Sequence, residues 1–306
     1  GALAQTHAEA AGDEHLTIQA YGAIVGAMTD WRDAEPYVEL GLGARAPIDA
    51  YEARSILAIN LGMAAFFAGR WIDAVDLYEQ GRSNAQAMGN VTGAALASMN
   101  AAEVLVDQGH LDRAAEALTE VRRVLGAAGY AAALSYAELL TGVVALRRGD
   151  LDTARGILEQ CVTEFRTGSM LLYALEAELR LAEVSVRDGH LDDAAGLSER
   201  ALADAQNLSR RGVIVARAHR VLGMIALARD DSERSIDHLR EAADTCRSHE
   251  LRFELAVSLY ALADVAPQLV ADAPHEADQI FDELGVVQSG RAVGVVRPLE
   301  GVIPTG

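Results

Sequence analysis

One type of side chain carries most of the chemical capacity of this chain. All 26 cationic residues are arginine, and lysine is absent. A guanidinium is a planar fork of donors suited to gripping carboxylate or phosphate. The absence of lysine removes a P-loop with its Lys, a Schiff-base Lys and a Ser–Lys dyad. No HExxH, CxxC, GxSxG or Gly-rich phosphate loop occurs either. His110 and His190 share one inter-helix turn position, and an exposed polar residue is expected at both. His219 and His238 fall on successive helical segments with no carboxylate or Cys arranged as a metal set. Glu233, Asp237 and Glu241, with Arg234 and Arg240 between them, read as the solvated face of a helix. Cys161 and Cys246 read as packed thiols, since two cysteines make no disulfide framework. The chemistry left is recognition: no enzyme, no cofactor and no metal site is expected.

The charge balance narrows the partners. A net charge of −19 opposes direct nucleic-acid binding by this segment, because phosphates must be neutralised by a basic patch. No secretory pattern opens the chain. The most apolar stretch, Ile56 to Ala68, is interrupted by Asn60 and is too short to span a bilayer. The reading is a soluble, cytoplasmic protein without membrane contact.

What positions these side chains is a repeat. Gly22, Gly62, Ala102, Gly142, Ala182, Gly223 and Ala263 recur every 40 residues, with one interval of 41. Seven residues after the first six come Thr29, Gly69, Gly109, Gly149, Gly189 and Asp230. Five further on lie Ala34, Ala74, Ala114, Ala154, Ala194 and Ser235. Self-similarity at one period marks an array in which each unit packs on its neighbours. No proline lies between Pro47 and Pro267, and hydrophobic residues make up 51% with only 5% aromatic. The array is therefore all-helical, with a core of Ala, Leu and Val.

The unit from Tyr51 to Asn90 shows the plan. Ile56, Ile59, Met63, Phe66 and Phe67 form a broad apolar face on a first helix. Leu61-Gly62 offers a close-approach patch, and Gly69 ends the helix in a left-handed turn. A second helix carries Ala74, Val75, Tyr78 and Gly81 and ends at Gly89-Asn90. Asp73, Asp112, Asp152 and Asp192 stand near second-helix starts, where carboxylates complement the dipole and cap free N–H groups. The set Leu61-Gly62, Gly69, Ala74 and Tyr78 resembles the tetratricopeptide repeat, as does Leu222-Gly223, Asp230, Ser235 and Leu239. The unit is 40 residues long where that repeat has 34. In this it resembles the repeats of bacterial signal-transduction ATPases, maltotriose-responsive LuxR-type activators among them.

The resemblance implies an all-α, right-handed superhelical solenoid of antiparallel helix pairs, with the first helix of each pair lining a concave groove. Carried over by register, one recurring groove point is Gln19, Ile59, Met99, Leu139, Leu179, Arg220 and Tyr260. The next column holds Asn60, Asn100, Leu140 and Arg180, and a third holds Met63, Glu103, Val143, Glu183, Met224 and Asp264. The groove is thus apolar in its first half, with Phe66 and Phe67, and charged in its second. Arg180, Arg187, Arg217 and Arg220 make a cationic cluster there. Two readings stay open. The forks take a carboxylate or phosphate of a peptide or small effector, with Asn60 and Asn100 holding a backbone. Alternatively, Arg180, Arg187 and Arg217 pair with Glu176, Glu183 and Asp188. The candidate ligand set is Asn60, Met63, Phe66, Asn100, Glu103, Arg180, Glu183, Arg187, Arg217 and Arg220.

The expected organisation is a lead-in segment at 1–15, tandem repeats over 16–265, a capping helix at 266–285 and an extended tail at 286–306. The expected function is a non-catalytic sensor or regulatory module of a bacterial signalling or transcription-regulatory protein, binding a peptide, a protein or a small effector. The alternative is a stand-alone scaffold that assembles partners or forms a homo-oligomer.

Overall fold

A computed structural model describes residues 51–287, apart from residues 207, 209 and 210. The expected lead-in segment, the first unit with Gln19, Gly22 and Pro36, and the tail beyond residue 287 lie outside the described residues. The described residues form twelve α-helices and no strand. They are α1 (Tyr51–Phe67), α2 (Trp71–Ala87), α3 (Val91–Gln108), α4 (Leu111–Ala128), α5 (Ala131–Arg148) and α6 (Leu151–Thr167). There follow α7 (Leu171–Arg187), α8 (Leu191–Ala205), α9 (Gly212–Ala228), α10 (Ser232–Ser248), α11 (Arg252–Val265) and α12 (Ala273–Leu284). A 3₁₀ turn, Pro267–Leu269, precedes α12. Two compact units divide the chain, residues 1–134 and residues 135–306, with the boundary inside α5.

Within the first unit, α1 packs on α2 and α3 on α4, and α1 also touches α3. Within the second, each helix from α9 onward packs on the one before it, and α7, α9 and α11 contact one another in sequence. The fold is the expected one: consecutive antiparallel helix pairs of the tetratricopeptide type. Its cause is periodic. The turn column adopts the left-handed region at Gly69, Gly109, Gly149 and Gly189 with φ between +73° and +89°, and Asp230 does so at +61°. Only a residue tolerant of that region closes a helix in so few residues. The single interval of 41 falls between Leu191 and Gly212, where α8 is two residues shorter than α6.

The small-residue column works by close approach. A Cβ at Gly62 would lie 2.6 Å from the Tyr78 ring, one at Gly142 3.1 Å from Leu158, and one at Gly223 2.8 Å from Leu239. Each is the large residue four places after the recurrent Ala or Ser of the second helix, so the two columns lock together. Helix caps correct one expectation. The capping side chains are Asn90, Asp150 and Asp231, each accepting from a backbone N–H three residues on. Asp73 is instead engaged by Arg70, and Asp192 by Arg229.

The two helices of a pair bury different shares of their surface. α3 buries residues on nearly every side, from Ala94 to Gln108, whereas α4 buries the single stripe Leu111, Ala114, Leu118, Val121 and Leu125. α9 and α10 repeat the contrast. First helices are therefore interior and second helices peripheral, as a surface helix with one apolar stripe must be. Both cysteines are buried free thiols, and burial pushes each up to about 12, so neither forms thiolate at neutral pH. No helix of the described residues is long and apolar enough to cross a membrane.

Candidate functional site

Buried charge marks the candidate site. Among the described residues the buried charged side chains are Glu178, Arg180, Glu183, Arg217, Arg220 and Glu254. All belong to α7, α9 and α11, the first helices of three successive pairs; the second helices bury nothing more polar than serine or threonine. Charges leave water only at a cost that pairing must offset.

The pairing is specific. Arg217 of α9 donates from Nη1 to Glu176 of α7 (2.6 Å) and from Nε to Glu254 of α11 (2.7 Å). Arg220, one turn on, donates from Nη1 to the other oxygen of Glu254 at 2.7 Å. Arg180 Nη1 straddles the Glu183 carboxylate, 3.3 Å from each oxygen. Arg187, half-buried at the end of α7, donates from Nη1 to the Leu146 carbonyl of α5 at 2.7 Å. Nε of Arg180 and Nε of Arg220 are buried without an acceptor. Glu178 points to the opposite side, where Arg166 of α6 holds it and also reaches Asp204 of α8.

The electrostatics follow from this lattice. Burial raises the Glu254 carboxyl, but Arg217, Arg220 and Arg180 together outweigh it and hold the group far below the usual carboxylate range. Glu183 behaves likewise: burial opposes ionisation, and Arg180, Arg220, Arg217 and Arg187 reverse the balance. Arg187 shows the opposite sign. Its burial lowers it, Glu183 compensates in part, and Arg180 adds repulsion.

The ion-pair reading of the arginines holds in part. Arg180 pairs with Glu183 and Arg217 with Glu176, as the ion-pair reading has it. Asp188, however, is engaged by Arg155 of α6, and Arg187 ends on a neutral carbonyl. Glu254 is the residue that the sequence reading missed. Its register column reads Ala53, Gly93, Ala133, Tyr173, Ile214 and Glu254, so a lone charge in an uncharged column was the available signal.

The remaining candidates belong to the first unit. Asn60, Asn100 and Glu103 are half-buried on α1 and α3, and Met63 is 43% exposed. The Phe66 ring stacks on Trp71 at 5.5 Å, and the Trp71 indole N–H donates to the Phe66 carbonyl, which ties it to the turn. Ile59 is half-buried and packs toward Gly81 of α2, and Met99 is buried, so of the expected apolar patch Met99 is interior while Met63 stays exposed. In the second unit Leu139 and Leu179 are interior as well, and Tyr260 stacks on Phe281 of α12 at 5.7 Å.

No protein-family model matches the sequence, nor does any curated protein. Solved structures of the same fold do. A Rap protein complexed with Competence and Sporulation Factor superposes with a TM-score of 0.64 at 12% identity, covering 89% of this chain and 85% of that one. Aspartyl phosphate phosphatase F from Bacillus subtilis gives 0.65 at 10% identity, over 92% and 72%. NprR in complex with its cognate peptide NprX gives 0.57 at 13% identity, over 90% and 79%. The likeness is one of fold, a tetratricopeptide-like array of helix pairs.

Proposed function

We propose that this chain is the peptide-binding repeat module of a bacterial regulatory protein, and that the first helices carry its ligand. One observation bears most of the weight: among the described residues, buried charge is confined to α7, α9 and α11. Five of the six buried charges, all but Glu178, lie at one face, which a stack held only by its Ala-rich core does not require. Pairing three arginines with three carboxylates there is a poor source of stability compared with apolar packing. Placed along a solenoid's inner helices, the same groups make a polar lining for a peptide. Two of the solved structures of like fold are complexes, one with Competence and Sporulation Factor and one with the cognate peptide NprX, and the second supports a peptide as the ligand class. In the first unit the proposal keeps Asn60, Met63, Asn100 and Glu103 as ligand contacts. The reading is of a cytoplasmic, non-catalytic module. It is the repeat region of a regulator like the signal-transduction ATPases and LuxR-type activators whose 40-residue unit it shares.

The test is affinity selection of a pool of synthetic hexapeptides, read by mass spectrometry, with the wild type and two variants. Saturable retention by the wild type is expected, weakened about tenfold or more in Arg180→Met and in Asn100→Ala, as for loss of a hydrogen bond to a charged or backbone group. Equal retention in both variants would remove the proposed ligand face and leave the fold untouched.

A further inference from the structure

The charged face is not electrically complete. Four guanidiniums (Arg180, Arg187, Arg217 and Arg220) meet three carboxylates (Glu176, Glu183 and Glu254), which leaves one positive charge over. That charge has an address. Arg217 and Arg220 are held by Glu254, Arg217 again by Glu176, and Arg180 by Glu183. Arg187 alone of the four donates to a neutral acceptor, the Leu146 carbonyl. It is also the one that solvent reaches: its three companions are buried, while Arg187 is half-buried in the last turn of α7. Arg180 sits two turns back on the same face of that helix, and its Nε is a buried donor with no acceptor. Arg220 Nε is in the same condition. The face therefore holds an excess of donors, and its guanidinium without a hydrogen-bonded carboxylate stands at the end that solvent reaches.

We propose that the group this face receives from its ligand is a single carboxylate, taken by Arg187 with Arg180 behind it. The proposal rests on the peptide-binding reading above and sharpens it. One monoanion brings the cluster to neutrality and supplies the missing acceptor. A cationic group would add to the existing excess. A phosphate dianion would overshoot neutrality by one charge in a place where each uncompensated charge must be desolvated. A guanidinium fork donates two parallel hydrogen bonds to a carboxylate, which fixes its orientation as well as its charge. The physical state of Arg187 agrees: burial disfavours its charged form, and only Glu183 opposes that.

The experiment uses the full chain and N-acetylated hexapeptides randomised over uncharged residues, in four versions. One ends in a free carboxylate and one in an amide. A third is an amide with one Asp, and a fourth an amide with one phosphoserine. Retention is read by mass spectrometry after size exclusion, and each variant is checked by circular dichroism. On the wild type the free acid is expected about tenfold or more enriched over the amide, the size of one charge-assisted hydrogen-bonded pair. Retention of the Asp amide as well would assign the carboxylate to a side chain, and retention of the free acid alone to the peptide end. In Arg187→Met the enrichment should fall to near parity. In Arg187→Lys, which keeps the charge and loses the fork, part of it should persist. Equal retention of acid and amide by the wild type would overturn the carboxylate assignment and leave peptide binding standing. Preference for the phosphoserine pool would overturn it in favour of a dianion. Enrichment undiminished in a folded Arg187→Met would show that Arg187 is not the receiver. Retention of no pool at all would remove the peptide reading and this proposal with it. The wild-type comparison stands even where a variant does not fold.

Discussion

Removing the Glu254 carboxylate should be among the most damaging single changes in the second unit. In Glu254→Ala, Arg217 keeps Glu176 at 2.6 Å, but Arg220 loses its carboxylate partner while staying buried. Breaking a buried pair from one side costs about 3–5 kcal/mol, because an uncompensated charge is left in a medium that solvates it poorly. Arg220→Met should cost a similar amount by orphaning half of Glu254. The double variant Arg220→Met with Glu254→Leu is the informative one. It removes one charge of each sign, leaves Arg217 with Glu176, and fills the volume with apolar atoms, so it should return to within about 1–2 kcal/mol of the wild type. Urea denaturation monitored by circular dichroism supplies the four free energies of the cycle, with unchanged slope as the sign of an unaltered transition. A loss below about 1 kcal/mol in Glu254→Ala, or a double variant as poor as the two singles combined, would refute the buried-network account.

Other expectations concern the repeat itself. Gly223→Ala forces a Cβ to 2.8 Å from Leu239 and 3.2 Å from a Ser235 backbone oxygen, so a loss of about 1–3 kcal/mol is expected in thermal or urea melts. Gly156→Ala, on the exposed face of α6 with nothing within 4 Å of the added atom, should instead stabilise by roughly 0.5–1 kcal/mol. Asn90→Ala removes the cap on α3 and should cost about 1 kcal/mol by the same melts. His219 and His238 face each other with Nδ1 atoms 3.1 Å apart on α9 and α10. Burial lowers both, His238 adds to the shift at His219 and Arg234 to that at His238, while Glu241 and Asp237 oppose. Groups depressed in the folded state bind fewer protons than in the unfolded chain, so stability is full above about pH 6.5 and falls as pH drops through the lower folded values. A urea midpoint that falls between pH 7.5 and 5.5, with a smaller fall in His219→Gln, is the expected result.

Much of the fold could be read from spacing because the constraints are local and repeated. A left-handed turn needs Gly or a tolerant residue such as Asp230, and a helix crossing at Gly62, Gly142 and Gly223 needs a missing Cβ. Each leaves its trace in the sequence many times over. The site was less legible, because its contacts run between repeats and depend on rotation. Glu176 and Arg217 occupy one register column of adjacent units, where residues lie opposite each other, so their pairing follows from spacing although the sequence reading named the two only within a larger set. Glu254 reaches Arg217 from one turn off that register and Arg220 from nearly two, so no single column reveals it. Phe66 shows what a stripe alone does not carry: its ring also stacks on the neighbouring Trp71 across the turn.

The buried charges also answer a difficulty that self-similarity creates. In an array of near-identical units, any first helix could pack beside any other, and the Ala-rich core discriminates weakly between neighbours. Apolar contacts of similar volume exchange at small cost. The column through Glu176 reads Ile56, Leu96, Tyr136, Glu176, Arg217 and Val257 along the chain. Only one adjacent pair in it is complementary in charge. A slip by one repeat would set the buried Arg217 beside a second first helix with no carboxylate at that register and would leave the half-buried Glu176 against an apolar side chain. Each misplacement orphans a charge, a penalty of several kcal/mol that no apolar column imposes. Glu254 then extends the discrimination to a third helix, because it satisfies Arg217 and Arg220 only when α11 follows α9. The same arrangement that fixes the order of α7, α9 and α11 leaves Arg187 with only a carbonyl, so the side chains that set register are also those proposed for recognition.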